Sequence, residues 1–184
     1  MKKSILVLGV ILFLSMMVSS ASAARFSIGG FAGLNLPLAQ QDAKSGALFG
    51  AKGRILILPF LGLEPNFFFA QYGGKDVDDV RGKSFAQEGG DITSFGADVV
   101  LGSLSAMGKI KVYGLVGVNY NTYKREKLED ESGLGVAFGP GFEFFPTEML
   151  SLEIRAKYHA IKVGDGGRVH LEVSGGLNYY FGSE

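Results

Sequence analysis

The chain has 184 residues, with 18 Lys and Arg against 18 Asp and Glu, and no cysteine. A balanced charge offers no field that would favour nucleic acid or an anionic surface, so no nucleic-acid partner is expected. The lack of cysteine excludes a lipoprotein anchor, disulfides, thiol catalysis and cysteine-type zinc sites.

The first residues are Met1-Lys2-Lys3, followed by an apolar run from Ile5 to Val18 and then Ser-Ser-Ala-Ser-Ala-Ala. A charged start, a short apolar core and an Ala-x-Ala site at Ala21-Ser22-Ala23 make a cleavable secretory signal of bacterial type. The apolar core is too short for a spanning helix of about 20 residues. A signal peptide is therefore expected over residues 1–23, with cleavage between Ala23 and Ala24. One domain is expected over 24–184, since roughly 160 residues suit one core. No second apolar run could cross a bilayer as a helix. A mature chain in a membrane would have to be a closed barrel, because lipid satisfies no backbone group. The 28 Gly, 15 Phe and 7 Tyr, against 5 Pro, suit tightly curved sheet with aromatic belts.

Eight stretches alternate with the period of two that marks a strand. The first, about Arg25 to Leu36, sets Phe26, Ile28, Gly30, Ala32, Leu34 and Leu36 against Ser27, Phe31 and Asn35. After a polar loop, Pro37 to Gly46, the second runs from Ala47 to Leu58, with Lys52 and Arg54 opposite its apolar face. The third, about Leu61 to Tyr72, puts Leu63, Phe67 and Phe69 on one face with Pro65, and Glu64, Asn66 and Phe68 on the other. Proline cannot donate to a ladder, so a bulge or weakened start is expected at Pro65. Gly73 to Asp91 reads as the longest loop.

The fourth strand, about Ile92 to Gly102, alternates Phe95, Val99 and Leu101 with Ser94 and Asp98. The fifth, about Lys109 to Tyr123, sets Ile110, Val112, Val116, Val118 and Tyr120 against Lys111, Tyr113 and Asn119. A charged loop, Lys124 to Ser132, follows. The sixth, about Gly133 to Phe145, opposes Leu134, Val136, Phe138, Phe142 and Phe144 to Gly135, Ala137, Gly139, Gly141 and Glu143, and a bulge is expected at Pro140. The chain closes on a long hairpin, Leu150 to Phe181, with Gly164-Asp165-Gly166-Gly167 as its turn. Its polar positions are Ser151, Glu153, Arg155, Lys157 and His159, then His170, Glu172, Ser174 and Asn178.

Each arm of that hairpin runs to about 12 residues, and a tilted membrane-spanning strand needs about 9–11. One such hairpin could equally belong to a soluble sandwich. The whole chain decides, because long and short connections alternate as they do in outer-membrane barrels. Aromatics on the apolar faces gather toward two rims: Phe26, Phe142, Phe144, Tyr179 and Phe181 at one, and Phe67, Phe69, Tyr120 and Tyr158 nearer the other. An even strand count puts both mature termini on the short-turn, periplasmic side. The predicted fold is an all-β, eight-stranded, antiparallel up-and-down transmembrane barrel behind a cleavable signal peptide.

The signal, the eight-strand meander and the closing Gly175-Gly176-Leu177-Asn178-Tyr179-Tyr180-Phe181 resemble the small outer-membrane β-barrel superfamily of Gram-negative bacteria. That group includes the transmembrane domain of outer membrane protein A and its OmpX-like relatives. The resemblance covers the mature chain and implies residence in the outer membrane, in contact with its lipid and lipopolysaccharide, after insertion by the barrel-assembly machinery. Such barrels usually end on an aromatic residue. Here Gly182-Ser183-Glu184 follows Phe181, so the terminal signal is displaced by three residues.

The second face of the strands is then a barrel interior. Its cations are Lys52, Arg54, Lys111, Arg155 and Lys157; its anions are Glu64, Asp98, Glu143, Glu153 and Glu172; His159 and His170 complete the set. An eight-stranded barrel is just wide enough for side chains to fill. Equal numbers of each sign predict a self-neutralising plug, with the small inward residues of the sixth strand leaving space for long side chains from the far wall. The chief reading is a non-enzymatic, monomeric envelope protein with a structural role or a surface partner met by the outer loops. A narrow, porin-like conduit for small solutes is the alternative. A lipid-modifying enzyme is a third: simple pairing across the turn sets His159 opposite Glu172. The His-x-Ser element of outer-membrane lipid A deacylases is missing, however, since the chain has His159-Ala160-Ile161 and His170-Leu171-Glu172. A soluble lipocalin-like barrel would need the faces reversed. Asp76, Asp78 and Asp79 lack the spacing of a calcium loop, and no catalytic residues, cofactor or metal are expected.

Overall fold

The computed structural model describes residues 25–38, 43–78, 84–87, 89–104, 109–124, 130–163 and 166–181. The expected signal segment and its Ala23–Ala24 cleavage site lie outside them. Ten strands follow in chain order: β1 Arg25–Pro37, β2 Ala43–Lys44, β3 Gly46–Leu58, β4 Leu61–Asp78, β5 Ser84–Gln87, β6 Gly90–Gly102, β7 Ile110–Lys124, β8 Glu131–Phe144, β9 Leu150–Val163 and β10 Gly166–Phe181. Eight of them are long staves paired antiparallel to their neighbours, and β1 to β10 together with β4 to β6 complete the ring. The short β2 and β5 both pair with β4. The result is a closed, all-β, eight-stranded barrel.

Closure follows from composition. Alternating β-branched and aromatic residues favour extended backbone, and a ring leaves no stave with an unpaired edge. Outward positions are apolar along the full height: Ile28, Phe49, Phe67, Val99, Val116, Phe138, Ile154 and Leu177 are all exposed. Both predicted rims point outward. At the upper one, Phe49 meets Phe69 (5.4 Å between centroids), Phe95 meets Tyr120 (5.5 Å) and Phe138 meets Tyr158 (5.1 Å).

Several local expectations are corrected. No bulge forms at Pro65. The rungs that would join Gly53 to Pro65 and Arg54 to Glu64 are missing, but the register resumes unchanged at Ile55↔Leu63. The one shift in that ladder falls at Leu56/Leu58, next to the turn. Pro140 behaves alike: it faces Gly114 in an unbroken β7–β8 ladder, and β8–β9 resumes in register at Gly141↔Arg155. The missing donor removes rungs without inserting a residue, so the faces stay in phase. The final turn is shorter than read, because Gly166 and Gly167 join the ladder opposite Val163 and Lys162. His159 therefore pairs with His170, and Glu172 with Lys157. The stretch 73–91 is largely strand, not loop: β4 runs to Asp78 and pairs with β5. Backbone groups must be satisfied even beyond the wall, and a hairpin does this locally.

The space beside the sixth stave is also filled differently. The Tyr113 ring from neighbouring β7 lies over Gly141, and the Asn119 amide over Gly135. Gly139 has a separate task, since a Cβ there would overlap the Ala156 carbonyl of β9. Gly139→Val is expected to destabilise the barrel by about 1–3 kcal/mol through this overlap. Gly175→Ala has room, its nearest neighbour being 3.7 Å away. Urea titration of the refolded proteins, followed by the mobility of unboiled samples on gels, should separate the two.

Candidate functional site: the barrel interior

The inward residues form three tiers. The upper is apolar and aromatic: Phe31, Leu48, Phe68, Ala70, Tyr72, Ile92, Tyr123 and Ile161. The lower is Leu56, Val100, Leu104, Tyr113, Leu115, Phe145 and Tyr180. Between them lie the charges. At the end of the barrel beyond the upper tier, Gln71, Tyr72, Asp91 and Lys124 line a vestibule of about 670 Å³.

Arg54 is the hub of the middle tier. Its Nε donates to Glu64 at 2.7 Å, Nη1 to Glu143 at 2.8 Å and Nη2 to Glu153 at 2.9 Å. It also donates to the hydroxyls of Tyr113 and Tyr180, both at 3.2 Å, and its guanidinium stacks 4.6 Å above the Tyr113 ring. Lys52 bridges Glu153 and Glu64, the latter at 3.4 Å. Arg155 joins Glu64 (2.9 Å) to Glu172 (2.8 Å). Lys157 holds Asp98 at 2.6 Å, and Asp98 also accepts from Asn66 at 3.0 Å. Lys111 stands opposite Glu143 in the ladder, donates to the Leu104 carbonyl at 3.0 Å and lies 4.3 Å from the Phe145 ring centre. All ten charged side chains are buried. A buried charge is tolerated where it is paired and hydrogen-bonded; the carboxylates, Lys52, Arg54, Arg155 and Lys157 are held in ion pairs, and Lys111 in a carbonyl hydrogen bond and a cation–π contact.

His159 and His170 stack face to face, 4.6 Å apart, at the top of the charged tier. His159 Nε2 lies 3.1 Å from Glu172 and its Nδ1 3.2 Å from the Asn119 amide nitrogen, which fits the tautomer protonated on Nε2. His170 Nδ1 meets the Tyr72 hydroxyl at 2.9 Å. The His159–Glu172 contact is thus diagonal, across one rung, and not between direct partners. Ser174 bonds to Glu172 (2.6 Å) and Arg155 (3.2 Å). Both imidazoles have zero exposure, so neither reaches a substrate in this geometry. No group of three or more His, Asp or Glu among the described residues is placed to hold a metal.

Selecting on charge passed over Tyr113, Tyr180, Ser151, Asn66 and Asn178. Ser151, Asn178 and Tyr180 all bond to Glu143. Their signal was available, since each shares the strand parity of a charged neighbour.

An apolar outer wall, two aromatic rims and a paired polar lumen define a transmembrane β-barrel. The chain belongs to the outer membrane protein beta-barrel domain family, whose model matches residues 6–181. That family places it in the outer membrane of the Gram-negative envelope. No curated protein matches the sequence. Among solved structures, Neisserial surface protein A (NspA) is similar at 15% identity and TM-score 0.60, over 87% of this chain and 100% of that one. The N-terminal β-barrel domain of Pseudomonas aeruginosa OprF is similar at 12% and 0.57, over 85% and 97%. OprG from Pseudomonas aeruginosa is similar at 19% and 0.53, over 87% and 96%. At these identities the likeness speaks to fold alone.

Proposed function

We propose that this protein is a non-enzymatic outer-membrane barrel whose lumen is a structural plug. It acts as an envelope component, or meets a surface partner through the connections Pro37–Gly46, Gly73–Asp91 and Lys124–Ser132. It is made as a precursor cleaved after Ala23, inserted by the barrel-assembly machinery, and works as a monomer among outer-membrane lipid and lipopolysaccharide, with both mature termini in the periplasm. One observation carries the reading: the ion mesh around Arg54 is buried and lies between two clusters of buried apolar and aromatic side chains, which supports a lumen filled by side chains.

Planar-bilayer recording tests it. The purified barrel is expected to give no stable channel events, while an open porin run in parallel conducts. Sustained ohmic steps from this protein would replace the plug by the narrow-pore reading. Incubation with outer-membrane lipid is expected to leave every acyl chain in place, and release of fatty acid that stops in His159→Ala would make it an enzyme.

A further inference from the structure

The two histidines of the chain meet in one place. Their rings stack 4.6 Å apart and 11° from parallel, where the charged tier gives way to the upper aromatic one. Phe68 stands edge-on to His159 at 5.3 Å, and Tyr72 edge-on to His170 at 6.0 Å. Tyr123 stands edge-on to Tyr72 in turn, at 6.1 Å. The aromatic tier therefore rests on the stack. Tyr72 also lines the vestibule, while its hydroxyl meets His170. Along this route a single side chain lies between the pair and solvent.

The hydrogen bonds suit neutral rings. His159 Nδ1 faces the Asn119 amide nitrogen, a donor, and His170 Nε2 is buried with no hydrogen-bond partner among the described residues. A second proton on either ring aims a charged N–H where no acceptor stands, and lays an imidazolium on the face of another imidazole. The groups around the stack offer no spare counter-ion. Glu172 of β10 is shared with Arg155, and Asp98 of β6 is held by Lys157 of β9, which faces both rings. Arg168 of β10 lies over Tyr123 of β7, and Tyr72 comes from β4. At the ladder positions beside the pair, β1 sets Pro37 and β8 sets Ala137, and β3 sends Leu48 into the tier above; none of the three titrates. The lumen already balances five cations against five anions, so a proton on the stack is one charge too many for a dry interior. Water admitted past Tyr72 and Tyr123 solvates it at less cost.

We infer that the His159–His170 stack is a proton-binding site that acts as an acid latch: neutral, it holds the aromatic tier shut, and protonated, it opens that tier to the vestibule. The inference rests on the plug reading. Thiol labelling tests the two separately, because the chain has no native cysteine. Ala137→Cys places a thiol opposite His159 in the β8–β9 ladder, and Asp130→Cys places one at an exposed position on the vestibule wall. A membrane-impermeant methanethiosulfonate is the probe. The Ala137→Cys rate is divided by the Asp130→Cys rate, which removes the pH dependence of the reagent itself.

This ratio is expected to rise by about tenfold or more from about pH 7.5 to about pH 5, on either side of the ordinary imidazole value. With His159→Gln and His170→Phe added, it should stay within about twofold. A ratio that is low at both pH values in the histidine-containing barrel would overturn the latch and leave the plug standing. Fast labelling at both would overturn the plug and the latch together. An equal rise without the histidines would overturn the latch alone. If the histidine-free barrel loses its compact unboiled gel band, ring-carbon NMR of the two histidines decides. Rings that take up a proton in step with labelling support the latch, and rings that stay neutral while the label enters overturn it.

Discussion

Arg54→Met is expected to lower the stability of the folded barrel by about 3–5 kcal/mol, the scale for removing one member of a buried ion cluster. Methionine fills much of the volume but donates nothing. Three carboxylates lose a partner together: Glu64, Glu143 and Glu153. Glu64 keeps Lys52 and Arg155, and Glu153 keeps Lys52. Glu143 keeps its hydrogen bonds from Ser151, Asn178 and Tyr180. Adding Glu143→Gln should therefore restore at least 1 kcal/mol of the loss, because it neutralises an uncompensated buried carboxylate, on a scale where coupled neighbours interact by about 0.5–3 kcal/mol. Urea titration of barrels refolded in lipid vesicles, read by gel mobility, measures both. A single-variant loss under about 1 kcal/mol, the size of a solvated surface pair, would mean that the lumen is wet.

Val116→Arg should cost about 2–4 kcal/mol, the depth-dependent scale for a cation on the lipid face at the midplane of such a barrel. Val116 lies near the middle of β7, is 51% exposed and pairs with Val99 and Phe138, both outward. Thr122→Arg, six residues further along the strand and on the same outward parity, should cost no more than about 1 kcal/mol, since the penalty fades near the interface. The contrast between two identical side chains on one strand isolates depth from strand propensity. Equal, small effects at both sites would show that the outer wall faces water.

The faces of all eight staves were legible in the sequence, because a period of two runs through each of them. The prolines were not. Pro65 and Pro140 signalled a missing donor, and the sequence could not tell whether the sheet would respond with an inserted residue or with absent rungs. Parity argues for absent rungs in retrospect: a bulge at Pro65 would have turned Asn66 and Phe68 toward lipid. Register at the last hairpin was off by two residues because glycine serves equally in a turn and in a ladder. The ten charged positions could be grouped by parity alone. Their partners could not be named, since Arg54 and Glu143 meet across the lumen 89 residues apart, a distance set by the ring's closure and not by any local spacing.

β4 has 18 residues, the longest stave. At about 3.3 Å per residue and a tilt near 40°, such a strand rises roughly 45 Å, against a hydrocarbon core of about 30 Å. Its upper end, flanked by β2 and β5, thus projects as a lopsided parapet on one side of the mouth. In the proposed orientation that ledge faces away from the cell, toward any phage, antibody or host receptor, so sequence drift under such pressure should concentrate there.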